Sequence, residues 1–149
     1  MKIYITFTKG KTVVLFALVI LLIAVGVRLS AAANKNINGQ DNASRISFIS
    51  NLGLNAEDTY DEKEITIPME FSDVYKRYNS VQIKADFNLE KYKGKRAMVY
   101  SYKEKDTDRI INLIVCNGEI IGGDISETSL NGNMKPLKKE WIYIEAKTW

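Results

Sequence analysis

The chain has no histidine among its 149 residues. That removes the usual general base, the Ser-His and Cys-His nucleophile pairs, and the commonest metal ligand in one step. A single cysteine, Cys116, excludes an internal disulfide, so the fold must rely on packing. Cys116 sits inside an apolar stretch, where a thiol is expected to be buried and inert. Also missing are a G-x-G-x-x-G loop, a P-loop, and a calcium loop with its central glycine. No metal and no cofactor is expected. Internal repeats and low-complexity segments are absent as well.

What the chain does have is a long apolar run, Val13 to Val27, 15 residues without a polar side chain. Thr12 and Leu29 extend it to 18 residues. At 1.5 Å of rise per residue this is about 27 Å of helix, close to a bilayer's hydrocarbon thickness. A buried core helix of so small a domain would show a polar face, and this run has none. Two export readings remain. The first, preferred because the run is long, is an uncleaved single-pass anchor. The second is a signal peptide cleaved near Ala33, within Ala31-Ala32-Ala33. Lys2, Lys9 and Lys11 precede the run, so either reading keeps the N-terminus inside and puts the rest outside. No cysteine follows closely, which excludes a lipid-modified N-terminal Cys.

Charge divides at the same place. Residues 1–33 hold Lys2, Lys9, Lys11 and Arg28 and no acid, a net of +4 within a chain total of +3. The pI of 8.9 therefore belongs to the anchor, and nucleic acid is not an expected partner. The organisation read here is 1–33 anchor, 34–43 polar tether, 44–137 extracytoplasmic domain, and 138–149 tail or edge strand. The Ile, Lys and Asn bias associates the chain with an AT-rich bacterial genome.

Within the domain, Ser44 is a suitable N-cap for a helix through Leu52, with Gly53 at its C-terminal stop. Asn55 to Glu62 reads as an acidic turn, and Glu64 to Ile67 as a short edge strand ended by Pro68. Ser72 or Asp73 caps a second helix whose stripe is Val74, Tyr78, Val81 and Ala85. Asn88 to Lys95 is a turn. Arg96 to Lys103 alternates as a strand, and Arg109 to Cys116 is nearly continuous apolar sequence, as in a central strand covered on both faces. Asn117-Gly118 is a two-residue hairpin signal, and Glu119 to Ile125 returns antiparallel with a bulge or close approach at Gly122-Gly123. Trp141 to Ile144 would add an edge strand or an apolar tail. The order α-β-α-β-β-β gives an α+β fold, an antiparallel sheet with helices on one face.

Ile67-Pro68 with Phe71, Val74-Tyr75, Tyr78-Asn79, Leu89, Tyr92, Gly94 and Ile121-Gly122-Gly123-Asp124 occur in an order that resembles DUF4830, a family of domains of unknown function from Firmicutes. The resemblance spans roughly residues 44–137. It implies a small extracytoplasmic or membrane-anchored domain and carries no catalytic residue with it.

Three constellations are left for function. Asp124 could stand beside exposed N–H groups of Gly122-Gly123, or be a surface carboxylate on a bulged strand. Asp58, Asp61 and Glu62 read as a solvated acidic loop. Tyr75, Tyr78, Tyr92, Tyr100 and Tyr102 alternate with cations and either pack with wet hydroxyls or form a binding surface. The candidate binding residues are Lys76, Arg77, Lys91, Tyr92, Lys93, Lys95 and Arg96, facing anionic lipid or a cell-wall polyanion. The resulting expectation is a non-enzymatic binding or accessory module with an unidentified protein partner. The alternative is a small envelope hydrolase using carboxylates and tyrosines.

Overall fold

The computed structural model describes residues 36–128 and 134–139. The Val13–Val27 run, Asn131-Gly132-Asn133 and the Trp141–Ile144 segment lie outside the described residues. Among the described residues, no helix is long and apolar enough to cross a membrane. The elements are α1 (Asn42–Asn51), β1 (Ala56–Thr66), α2 (Asp73–Lys84), a 3-10 turn (Leu89–Tyr92), β2 (Arg96–Glu104), β3 (Arg109–Cys116), β4 (Glu119–Glu127) and β5 (Met134–Pro136). The strands form one antiparallel sheet in chain order, β1-β2-β3-β4-β5. This is the α+β class, with one more strand than the sequence order suggested.

β3 lies at the centre. Its Ile111, Leu113 and Val115 pack on one face with Ile49 and Leu54 from α1 and its C-terminal turn, and with Ile120 and Ile125 of β4. Ile114 and Cys116 point the other way and meet Ile67, Leu89 and Ile121, with Tyr75 and Tyr78 of α2 against them. The two helices therefore cover opposite faces of the sheet, where one shared face was expected. The reason is visible in β3 itself: a strand apolar on both sides needs a cover on both sides.

The β3–β4 hairpin turns on Asn117 (φ 51°) and Gly118 (φ 78°), as the Asn-Gly pair predicts. Val115 pairs with Ile120 but Ile114 pairs with Gly122, so Ile121 is the extra residue of a bulge. The Gly122-Gly123 pair is a close approach. Gly123 N donates to Gln82 Oε1 on α2 at 2.8 Å. A Cβ on Gly122 would meet the same oxygen at 2.8 Å.

Three local readings are corrected. The helix α1 begins at Asn42, because Asp41 caps it by accepting from Ser44 N at 2.7 Å. Ser44 is the third residue of the helix, and Gly53 does end the helix in a positive-φ conformation (88°). The acidic stretch from Glu57 is strand, not turn. β1 runs for 11 residues because pairing with β2 satisfies its main chain while its charges stay exposed at the sheet edge. On α2, capped by Ser72, the face toward the sheet is Tyr75, Tyr78, Asn79 and Gln82, whereas Val74 is 68% exposed. Polar side chains took the inner face because each finds a partner there. Asn79 Oδ1 accepts from Leu89 N at 2.9 Å, and Gln82 accepts from Gly123 as above.

Candidate functional site

The turn between the 3-10 segment and β2 gathers five of the seven candidate binding residues. Gly94 N donates to Ile67 O at 2.8 Å, and Ile67 N donates to Lys95 O at 2.9 Å. These bonds pin the turn to the loop that follows β1. Gly94 has φ 74°, and Met69 Sδ sits so close that a Cβ there would meet it at 2.5 Å. Met69 itself is 71% exposed. Lys93 Nζ lies 4.8 Å from the centre of the Phe71 ring, and Lys95 Nζ 5.4 Å from that of Tyr92. Tyr92 is half-buried; burial first, then the nearby Glu119 carboxylate, raises its hydroxyl pKa. The result is a small end-cap of apolar and aromatic groups under lysine amines.

Acids temper this end. Arg96 pairs with Glu64 at 3.4 Å and Lys93 with Glu90 at 3.9 Å, all with well-exposed side chains. Lys76 and Arg77 lie on the exposed side of α2, where Lys76 pairs with Asp73 at 3.3 Å. Five of the seven candidates thus share the turn and two lie on α2.

A second cluster was not read from the sequence. Arg45 is 2% exposed, and its Nε donates to Tyr102 Oη at 2.6 Å. Its Nη1 donates to Gly39 O at 2.9 Å, and its guanidinium lies 3.7 Å from the Tyr100 ring centre. Tyr102 in turn donates to Asn42 Oδ1 at 2.9 Å. Ile37 to Gln40, read in the sequence as tether, is thereby held against the hairpin. Ile120 N donates to Ile37 O at 2.8 Å and Gly39 N to Gly118 O at 2.9 Å. The signal was present: an arginine on the apolar side of a helix that needs a buried partner.

On the α2 face, Asp124 is 2% exposed, which replaces the surface-carboxylate reading. Tyr78 Oη donates to its Oδ2 at 2.9 Å and Asn112 Nδ2 to its Oδ1 at 2.9 Å. Ser101 Oγ completes the row by donating to Asn112 Oδ1 at 2.7 Å. Ser101, Asn112 and Asp124 are direct cross-strand neighbours, so the row runs straight across β2, β3 and β4. Burial holds the Asp124 pKa above the ordinary carboxylate value, against the pull of Asn112 and Tyr78. Burial and the Asp124 carboxylate likewise raise that of Tyr78 well above its usual range. Both oxygens of Asp124 are engaged, which suits a tie between helix and sheet. At the far end of the sheet, Asp108, Arg109, Glu127 and Thr128 line an open depression of about 390 Å³. Arg109 there is clamped by Glu104, with Nη2–Oε1 at 2.9 Å. Among the described residues, no group of three or more Cys, Asp or Glu is placed to hold a metal ion.

No family model, no curated protein and no solved structure matches this chain.

Proposed function

We propose that the chain is a membrane-anchored extracytoplasmic domain of a bacterial cell envelope, acting by binding as an accessory module, and akin to the DUF4830 domains. The apolar Val13–Val27 run, with Lys2, Lys9 and Lys11 before it, supports the anchorage and the outward orientation. The observation that carries the binding reading is the turn of Lys91, Tyr92, Lys93, Lys95 and Arg96, against whose Gly94 the exposed Met69 is packed. Such a surface suits an anionic partner with some apolar depth.

The test uses the full chain carrying Ser80→Cys on the exposed side of α2, expressed in cells. A membrane-impermeant maleimide is added before and after lysis, with the wild-type chain and its buried Cys116 as blank. Labelling of membrane-fraction protein in intact cells is the expected result. Labelling only after lysis would overturn the outward orientation, and labelled protein found in the medium would replace the anchor with secretion.

A second reading, a small envelope hydrolase, draws on Asp108 and Glu127 lining one depression. Paired carboxylates across a cleft are what glycoside hydrolysis requires. Turnover of isolated wall polymer by the full chain, abolished by Glu127→Gln, would favour it over the binding module.

A further inference from the structure

We infer that the sheet end carrying Met69 and the Lys91–Arg96 turn rests on the outer surface of an anionic bilayer, with Met69 entering the headgroup layer. This rests on the anchored reading above and names the partner of that same surface.

The first support is where the chain enters the domain. Ile37 to Gly39 runs along the hairpin tip, bridging Asn38 to Glu119. Thr66 pairs with Arg96, Met98 pairs with Val115, and Cys116 Sγ contacts Arg96 O, so the hairpin tip and the Gly94 turn sit at one end of the strands. The incoming chain and the cationic turn therefore share an end. Strands of eight or nine residues put the opposite end, at Lys105, about 25–30 Å further away.

The second support is composition. Met69 is exposed against Gly94, in a turn where Phe71 and Tyr92 each have a lysine amine over the ring. Apolar tips with lysines that reach outward suit a headgroup boundary, where one end of each group is wet and the other is not. Among the described residues, Lys91 and Lys95 have no ion pair. The pairs of Lys93 and Arg96 are exposed, and such pairs hold weakly. With Glu64 and Glu90 already paired, Glu70 and Glu119 bring the acids at this end to four against the four cations Lys91, Lys93, Lys95 and Arg96, so net charge alone supplies no attraction and the contact depends on the lysines reaching phosphate while the acids stay in water. A soluble polyanion would leave Met69 in water, whereas a bilayer buries it while the lysines meet phosphate. That asymmetry selects the bilayer.

The experiment labels Met69→Cys or Lys105→Cys in the full chain with a polarity-sensitive fluorophore. Each is reconstituted into vesicles of phosphatidylcholine, alone or mixed with phosphatidylglycerol, bearing headgroup-level nitroxide quenchers. Quenching at position 69 is expected to exceed that at 105 several-fold in anionic vesicles. It should fall toward the level at 105 when Lys91, Lys93 and Lys95 are all changed to Gln. Equal quenching at the two positions, in vesicles that retain the protein on flotation, would overturn the inference. So would quenching at 69 that soluble polyphosphate abolishes, which would assign the surface to a wall polyanion. A chain that fails to float with either vesicle would instead overturn the anchored reading on which the inference rests.

Discussion

Tyr78 of α2 donates its hydroxyl to Asp124 of β4 at 2.9 Å, a single bond that joins a helix to the sheet beneath it. Tyr78→Phe removes the donor and leaves one carboxylate oxygen of a buried residue without it. The expected loss of stability is about 1–3 kcal/mol, read as a lower denaturant midpoint. An unchanged midpoint would show that water serves Asp124 equally well.

Acid should act on Asp124 and Asp41 in opposite senses. Burial raises the folded pKa of Asp124 above 3.8, so its stabilising contribution is complete below 3.8 and lost as pH rises through the raised value. The Ser44 N–H and hydroxyl lower that of Asp41, so its contribution is present above 3.8 and lost as pH falls through the lowered value. Wild type should therefore gain on Asp124→Asn, and lose its lead over Asp41→Ala, as a denaturation series moves from neutral to acid. Parallel curves for either pair would refute that assignment.

Much of this was legible because it is local or periodic. Asn117-Gly118 could only be a tight turn, and the β3 sequence carried its own burial on both faces. What escaped was decided by partners far along the chain. Nothing in Glu57 to Glu62 announces a strand; β2 supplies the hydrogen bonds that make it one. Asn79 and Gln82 look like solvent residues until Leu89 and Gly123 are placed opposite them. The same holds for the functional surface. The cationic run of residues 91–96 was plain, but Met69 joined it only through the Gly94–Ile67 bonds.

Arg45 offers a third test. Lysine keeps the charge but cannot donate from one planar group to both Tyr102 and the Gly39 carbonyl. Arg45→Lys should leave the sheet folded while freeing Ile37 to Gln40. Limited proteolysis of the full chain should then cut near Gln40 much faster than in wild type, with unchanged far-ultraviolet dichroism. Equal cutting rates would show that the hairpin alone holds the segment.

The centre of the sheet should be intolerant in both directions of size. Leu113→Ala is expected to cost about 2–5 kcal/mol, because Leu113 is fully buried on β3. Gly123→Ala should cost about 1–3 kcal/mol by overpacking, since its Cβ would run into Asn112 O and lie 2.7 Å from Leu137 Cδ2. Urea titration of both variants checks the pair, and a near-neutral Gly123→Ala would mean that β4 shifts easily.

The two outer strands have a consequence for crowding. β1 lines its edge with Asp58, Asp61, Glu62 and Glu64 and breaks register between Ala56 and Tyr60. β5 is three residues long and ends in Pro136, which has no N–H to offer. A second copy approaching β1 meets like charge, and among the described residues the ladder that β5 offers is only three residues long. Among the described residues, neither outer strand therefore invites the sheet of a second copy to pair with it.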